Sequence, residues 1–244
     1  GFARRIGLHF LSLVGNNVQT QTVAWFWLCG VVSFVVANTP VGAIFAPVAV
    51  AALLYAGYQS FEQRYKSAAA SNILIAVSWG AAVGGMTTPL GGGQAVVTLA
   101  FFEKYIRHEV YFLDWTIRML PLSLLVMIAM SIMMYYFMRP EITDFKGSKD
   151  YYRRELAQMG RMTYEEKVIS LAFLLVVGLA MLKPLYAPYV KGPNFTWLSF
   201  SPLFFIVAVL LFFWPARTKK NENIISIPTL VQHFPVTILF IWPA

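Results

Sequence analysis

The stretch VVANTPVGAIF, residues 35–45, sits inside a run, residues 23–56, that has no Asp, Glu, Lys, Arg or His. At its centre, Ala37, Asn38, Thr39 and Pro40 put an amide, a hydroxyl and a helix breaker among apolar flanks. The run is too long for one membrane crossing and too short for two. Residues 22–36 number 15 and residues 41–57 number 17; at ~1.5 Å per residue these reach about 22 and 25 Å, against a hydrocarbon core of ~30 Å. The spacing predicts a re-entrant helical hairpin over 22–57 with its tip at residues 37–40.

The rest of the composition agrees with a membrane setting. Apolar residues make up 58% of the chain and charged residues 12%, with a mean hydropathy of +0.62, whereas soluble domains carry roughly 25% charge. Uncharged runs at 119–138, 168–182 and 195–216 match or approach the ~20 residues of a spanning helix. The fold class that follows is an all-α, polytopic membrane protein. A cleaved signal peptide is a poor account of the N-terminus, because Arg4 and Arg5 precede a short apolar stretch broken by His9 and no small-residue cleavage site follows. Cys29 is the single cysteine and lies in an apolar run, which reads as packing.

Glycine and proline divide the remainder. Residues 68–106 read as a transmembrane helix broken midway by GGMTTPLGGGQ, residues 84–94, since each Gly costs a helix ~1 kcal/mol and Pro ~3. Inside a membrane such a break survives only where protein or a polar cavity shelters it. Transmembrane helices are expected at 116–138, 164–182 and 198–214. Residues 1–21 read as a cytoplasmic interfacial arm, with Ile6, Leu8, Leu11 and Leu13 toward lipid and Arg4 and Arg5 toward headgroups. A charged loop over 139–166 holds a short amphipathic helix near 149–159. The chain opens on Gly and stops at IWPA soon after the apolar FPVTILF begins. It therefore reads as a fragment, with 224–244 the start of a truncated second repeat.

The formal charge of +8 needs no nucleic acid, because the Lys and Arg residues lie between apolar segments and form no aromatic-interleaved patch. With the hairpin opening to the cytoplasm, 14 of the cationic residues fall on that side and 5 on the other. A single crossing over 22–57 would change the division to 12 and 7. The positive-inside bias favours the hairpin and a multi-pass protein of the cell membrane.

The two interruptions place helix ends and their free backbone groups inside the membrane. N-terminal ends attract anions; C-terminal ends and unwound carbonyls attract cations such as Na⁺. At the tip, the amides of Val41, Gly42 and Ala43 open the second arm, with Pro40 expected at its first helical position, and the carbonyls of Ser33 to Val36 close the first. Asn38 accepts and donates, and Thr39 adds a hydroxyl. The second break supplies Thr87, Thr88 and a Gly91-Gly92-Gly93 backbone open to close approach. The alternative for either motif is close helix packing or a simple kink. Residues 91–94 are no phosphate loop, since no Lys-Ser/Thr follows the glycines, and His9, His108 and His233 are too scattered for a metal. No catalytic carboxylate pair is visible, and Glu103 and Asp114 fall near interfaces. This absence favours cation coupling through neutral oxygens, and an anionic substrate.

This order of features resembles the divalent anion:sodium symporter family, whose members carry dicarboxylates, citrate or sulfate. That family has a Ser-Asn-Thr signature at a hairpin tip and then a Gly-Thr-Pro-Pro-Asn-like loop breaking the next helix. Residues 37–39 are similar to the first, and residues 84–95 to the second. GFARRIGLHFLSLVG, FLDWTIRMLPLSLL and MTYEEKVISLAFLLVVGLAMLKPL also resemble the family, so the likeness runs from Gly1 to about Trp214. Ala37 replaces the signature serine, and the Pro-Pro pair is absent. Ala95 stands at the expected asparagine, with Gln94 the candidate for that role in a shifted register.

The resemblance implies one inverted repeat of an ion-transporter fold, acting as a secondary active transporter and no enzyme. Na⁺ is its coupling ion and a small divalent anion its substrate. Substrate contacts are expected from Asn38, Thr39 and Thr88. Cation contacts are expected from Ser33, Asn38, Gly91, Gly92, Gly93, Gln94 and Ala95. A homodimer, and a second repeat carrying the other half of the site, are also implied. The alternatives are another ion-transporter group, such as an oxyanion exporter or cation/proton antiporter, and a non-transporting membrane fragment.

Overall fold

A computed structural model describes residues 2–106, 110–145, 147–186, 200–216 and 224. The described residues form ten α-helices, and the chain is that of an all-α, multi-span membrane protein. It divides into two compact units, Gly1–Gly160 and Arg161–Ala244.

The first unit is built on a pair of parallel helices that touch backbone to backbone. Helix α2 (Val18–Ser33) packs most extensively on α5 (Ala68–Gly84). A Cβ on Gly80 would lie 2.2 Å from Phe26 O, and one on Gly84 would lie 2.0 Å from Gly30 O. Gly80 and Gly84 are four residues apart, so one stripe of α5 carries no side chains and α2 rests directly on it. This is the small-residue packing by which membrane helices associate where apolar burial gives no net drive. On its other side Gly30 meets the flexible Met127 side chain of α7 (Phe112–Phe137). Trp27 Nε1 donates to Ser131 Oγ of α7 at 2.8 Å.

Helix α3 (Asn38–Tyr55) follows α2 after a four-residue interruption and runs back along it. Both arms start and finish at one end of the unit. There Val18 N donates to Thr143 O and Phe145 N to Asn16 O, each at 2.9 Å, around an isolated antiparallel bridge between Asn17 and Asp144. Tyr58, just beyond α3, sets its ring edge-on to Phe145 at 6.1 Å. Short helix α4 (Phe61–Lys66), closed by a Ser60–Gln63 capping box, leads into α5 at the same end. Glu141 caps α5 there, taking bonds from Ser67 Oγ and, at 2.8 Å, from Ala69 N. Burial opposes its ionisation, but these bonds prevail and hold its carboxyl below the ordinary value.

Helix α1 (Phe2–Leu13) lies differently from its expected orientation. Ile6 and Leu13 are exposed, but Leu8 and Leu11 are buried in the core, and Phe2 and Phe10 take the exposed stripe instead. Gly7 abuts Phe45 and Leu28, so this face of α1 fits the hairpin. Arg4 and Arg5 turn to α8 (Ser148–Gln158): Arg4 pairs with Glu155 at 2.7 Å, and Arg5 donates to Met159 O and Gly160 O at 2.8 and 2.6 Å. The free carbonyls at the α8 C-terminus explain the Arg5 bonds. Tyr152 of α8 is buried against Trp25 and donates to Gln21 Oε1 at 3.1 Å. Burial pushes the Tyr152 hydroxyl up, which keeps it a neutral donor.

Helix α6 (Gly93–Ile106) resumes after the α5 interruption. In the second unit, α9 (Tyr164–Tyr186) and α10 (Phe200–Phe213) lie antiparallel. Phe173 meets Phe204 at 5.8 Å, and Trp214 Nε1 donates to the Tyr164 hydroxyl at 3.3 Å. Among the described residues three helices are long and apolar enough to cross a membrane: α3, which at 18 residues is longer than the arm expected from the sequence, α7 and α9. The boundaries differ from the sequence reading where caps act. Asn17 Oδ1 accepts from Thr20 N at 3.1 Å, so α2 starts four residues before Thr22 and the arm is correspondingly shorter. Helix α7 starts at Phe112 and α9 runs through Pro184 to Tyr186. His108, His233 and, apart from Ile224, the segment 224–244 lie outside the described residues.

Candidate functional site

The two helix interruptions meet. Between α2 and α3 the chain turns through residues 34–37, and between α5 and α6 through 85–92. Asn38, the first residue of α3, donates its backbone N–H to Gly91 O at 2.8 Å. Thr88 Oγ1 donates to Phe34 O at 2.5 Å and accepts from Leu90 N at 3.2 Å. Glycine is required for this approach: a Cβ on Gly91 would sit 2.5 Å from Ser33 O and from Gly85 O. The α5–α6 turn satisfies much of its own backbone, with Gly85 N bonded to Ala81 O, Thr87 N to Gly84 O and Gly91 N to Thr88 O.

Around this junction the expected residues divide into two groups. Ser33, Thr87, Thr88, Gly91, Gly92 and Ala95 are buried, whereas Thr39, Pro40, Gly93 and Gln94 are exposed and Asn38 is half-buried. Ser33 Oγ is buried and has no hydrogen-bond partner among the described residues. Asn38 Oδ1 accepts from Thr39 N at 2.9 Å, closing the first turn of α3 and leaving its NH₂ group for other partners. Two details differ from the sequence reading. Ala37 is the N-cap, so Pro40 is the third helical residue, where its missing N–H is still harmless. Gly93, Gln94 and Ala95 form the first turn of α6 and are not part of the unwound loop.

The junction also has a floor that the sequence reading did not single out. Thr87 Oγ1 donates to Ser123 Oγ of α7 at 2.8 Å, and Ser123 Oγ donates to Leu120 O at 3.0 Å. The available signal was a serine two residues after Pro121 in a largely apolar, uncharged run. Helix α7 has 26 residues; Ser123 lies about 17 Å along it from Phe112 and about 21 Å from Phe137 at 1.5 Å per residue. The junction therefore attaches near the middle of a helix long enough to cross a membrane.

Residues 1–212 match the family described as the sodium:sulfate symporter transmembrane region. The chain belongs to this family. The family is one of sodium-coupled anion transporters, a transport family and not an enzyme family. Among similar curated proteins is a sodium-dependent dicarboxylate transporter, SdcS, of Staphylococcus saprophyticus, 23% identical over 228 residues. Its Staphylococcus aureus counterpart is 22% identical over 231 residues. Each alignment covers 91% of this chain, and the chain spans 43% of the length of these relatives. Within the family, the match takes in both interruptions, all of α1 to α9 and most of α10.

Proposed function

We propose that this chain supplies one inverted repeat, and so one half of the binding site, of a transporter that takes up a small divalent anion with Na⁺. The observation that carries the reading is the Asn38 N–H to Gly91 O bond, which joins the hairpin tip to the broken helix. Asn38 and Thr39 present their side chains at the N-terminal end of α3, where the helix dipole favours a carboxylate or sulfate oxygen. Ser33 Oγ, the amide oxygens of Asn38 and Gln94 and the remaining lone pairs of the Gly91 and Gly92 carbonyls supply neutral oxygens for the cation, with Gly93 and Ala95 holding that backbone at the start of α6. The unpartnered, buried Ser33 hydroxyl fits such a ligand. Thr88 has its one proton committed to Phe34 O, so it holds the tip in place and approaches substrate only through a remaining lone pair.

In this reading α2 and α3 form a re-entrant hairpin opening to the cytoplasm. The linkers around residues 14–17, 57–67 and 139–145 meet at one end; Arg64, Lys66 and Arg139 lie in these linkers, which supports a cytoplasmic assignment of that end under the positive-inside rule. A second repeat would complete the site from the exposed side of Asn38, Thr39, Gly93 and Gln94, and two such proteins would pair as a homodimer.

The test is uptake of radiolabelled succinate, citrate and sulfate by the whole protein in proteoliposomes, with and without an inward Na⁺ gradient. Saturable, Na⁺-dependent uptake of one or more of the three is expected. Uptake driven only by a pH gradient would sink the sodium assignment.

A further inference from the structure

We propose that Ser123 is a positioning residue of the cation site, acting through Thr87; this rests on the transport reading above. Ser123 has no direct place at the junction, being on α7, yet its hydroxyl is the acceptor for Thr87 in the middle of the α5–α6 turn. Both side chains are buried, at 2% and 0% exposure. From Thr87 the path to the proposed cation ligands is short. Thr88 bonds to Phe34 O beside Ser33, and Gly91 bonds to Asn38. A second polar contact from α7 to this turn, Trp115 Nε1 to Met86 O, is long at 3.4 Å.

Helix α7 is also locally weakened at this level. Pro121 has no N–H for the carbonyl of Ile117, and the Ser123 hydroxyl donates back to Leu120 O, a bond of the kind that bends helices. A directional hydroxyl pair thus ties the turn to a pliable point of α7. Removing the pair frees the turn to shift relative to α7 without opening a cavity of any size.

The direction of the bonds makes a positioning role separable from a structural one. Ser123→Ala leaves the Thr87 proton buried without its acceptor, which destabilises. Thr87→Val leaves Ser123 still bonded to Leu120 O. The double variant Thr87→Val/Ser123→Ala replaces both partners by apolar groups of similar shape, so it recovers stability while the link stays cut.

The experiment measures, in the whole protein, the Na⁺ concentration for half-maximal anion uptake. It adds thermal unfolding and hydrogen exchange over residues 85–92, with Thr87→Ser as the conservative rescue. Ser123→Ala should lower the unfolding temperature and raise the Na⁺ requirement about fivefold. The double variant should regain the unfolding temperature yet keep the raised Na⁺ requirement and exchange faster at the turn, and Thr87→Ser should behave as wild type. A double variant with wild-type Na⁺ requirement overturns the positioning role, whatever its exchange. Sodium-independent uptake by the wild type overturns the transport reading and the cation role with it; unchanged exchange in the double variant overturns the α7 link by itself.

Discussion

Glycine serves two opposite ends in this molecule. Along the α2–α5 seam, Gly80 and Gly84 let one helix backbone lie on another, and the contact is closed. At the junction of the two interruptions, Gly85 and Gly91 bring two non-helical turns together, and the result has exposed polar residues on one side and an unpartnered hydroxyl on the other. The seam fixes where the second region sits. Phe26 and Gly30 of α2 are held against α5 just before each helix reaches its interruption, so the turns at 34–37 and 85–92 emerge at the same level. Close packing here provides the frame, and helix breaking provides the chemistry.

The strongest way to break this contrast is to fill the seam. Gly84→Ala drives a methyl into Gly30 O, a backbone atom that no rotamer change moves. The expected cost is about 3 kcal/mol or more, seen as a large drop in unfolding temperature in detergent together with loss of uptake. Gly30→Ala meets the mobile end of Met127 instead and should cost well under half as much. Equal losses in the two variants would show that the seam is not fixed by backbone contact.

The junction should respond in the opposite way, in function before stability. Asn38→Ala removes an amide whose bonds are local, accepted from Thr39 N and Thr39 Oγ1. Uptake affinity is expected to fall by ~1–3 kcal/mol, roughly 5- to 150-fold, while the unfolding temperature changes little. Undiminished Na⁺-dependent uptake in this variant would remove Asn38 from the proposed site.

Much of this was legible in the sequence because the breakers are local. Pro40 and the glycines at 84–85 and 91–93 disfavour a continuous helix by their own chemistry, so the interruptions were marked by residue type. That the two turns bond to each other was not legible, since it depends on the Gly80–Gly84 stripe meeting Phe26 and Gly30 some fifty residues earlier. The misplaced face of α1 has a similar cause. Leu8 and Leu11 are apolar on either reading, and only Glu155 and the α8 C-terminus decide that Arg4 and Arg5 turn inward. Ser123 was overlooked because a serine in an apolar run usually bonds its own helix, as this one also does.

A smaller effect is expected at the far end, where Glu141 caps α5. Its carboxyl lies below the ordinary value of 4.5, pulled down by bonds from Ser67 and the first turn of α5 against the opposing effect of burial. The unfolded chain therefore binds the proton more tightly, so the stabilisation is complete above about pH 4.5 and disappears as pH falls through the folded value. Glu141→Gln should cost about 1 kcal/mol or less at neutral pH, because the group is exposed and Ser67 still caps Ala70. Thermal unfolding of the variant and wild type at pH 7 and at pH 3.5 should show the gap narrowing at the lower pH. A gap that widens there would contradict the capping role.

The bridge between residues 16–18 and 143–145 bears on how the protein is made. Asn16 Oδ1 accepts from Lys149 N at 3.3 Å, a contact that closes over 133 residues of chain. At a synthesis rate of ~5–20 residues per second, α2 waits on the order of 6–25 s for the segment that fastens its first turn, whereas its seam with α5 becomes available in about half that time. For several seconds the nascent hairpin is held at its middle and loose at its base. In that interval its polar tip depends for shelter on the α5–α6 turn, which is synthesised before the segment that closes the base.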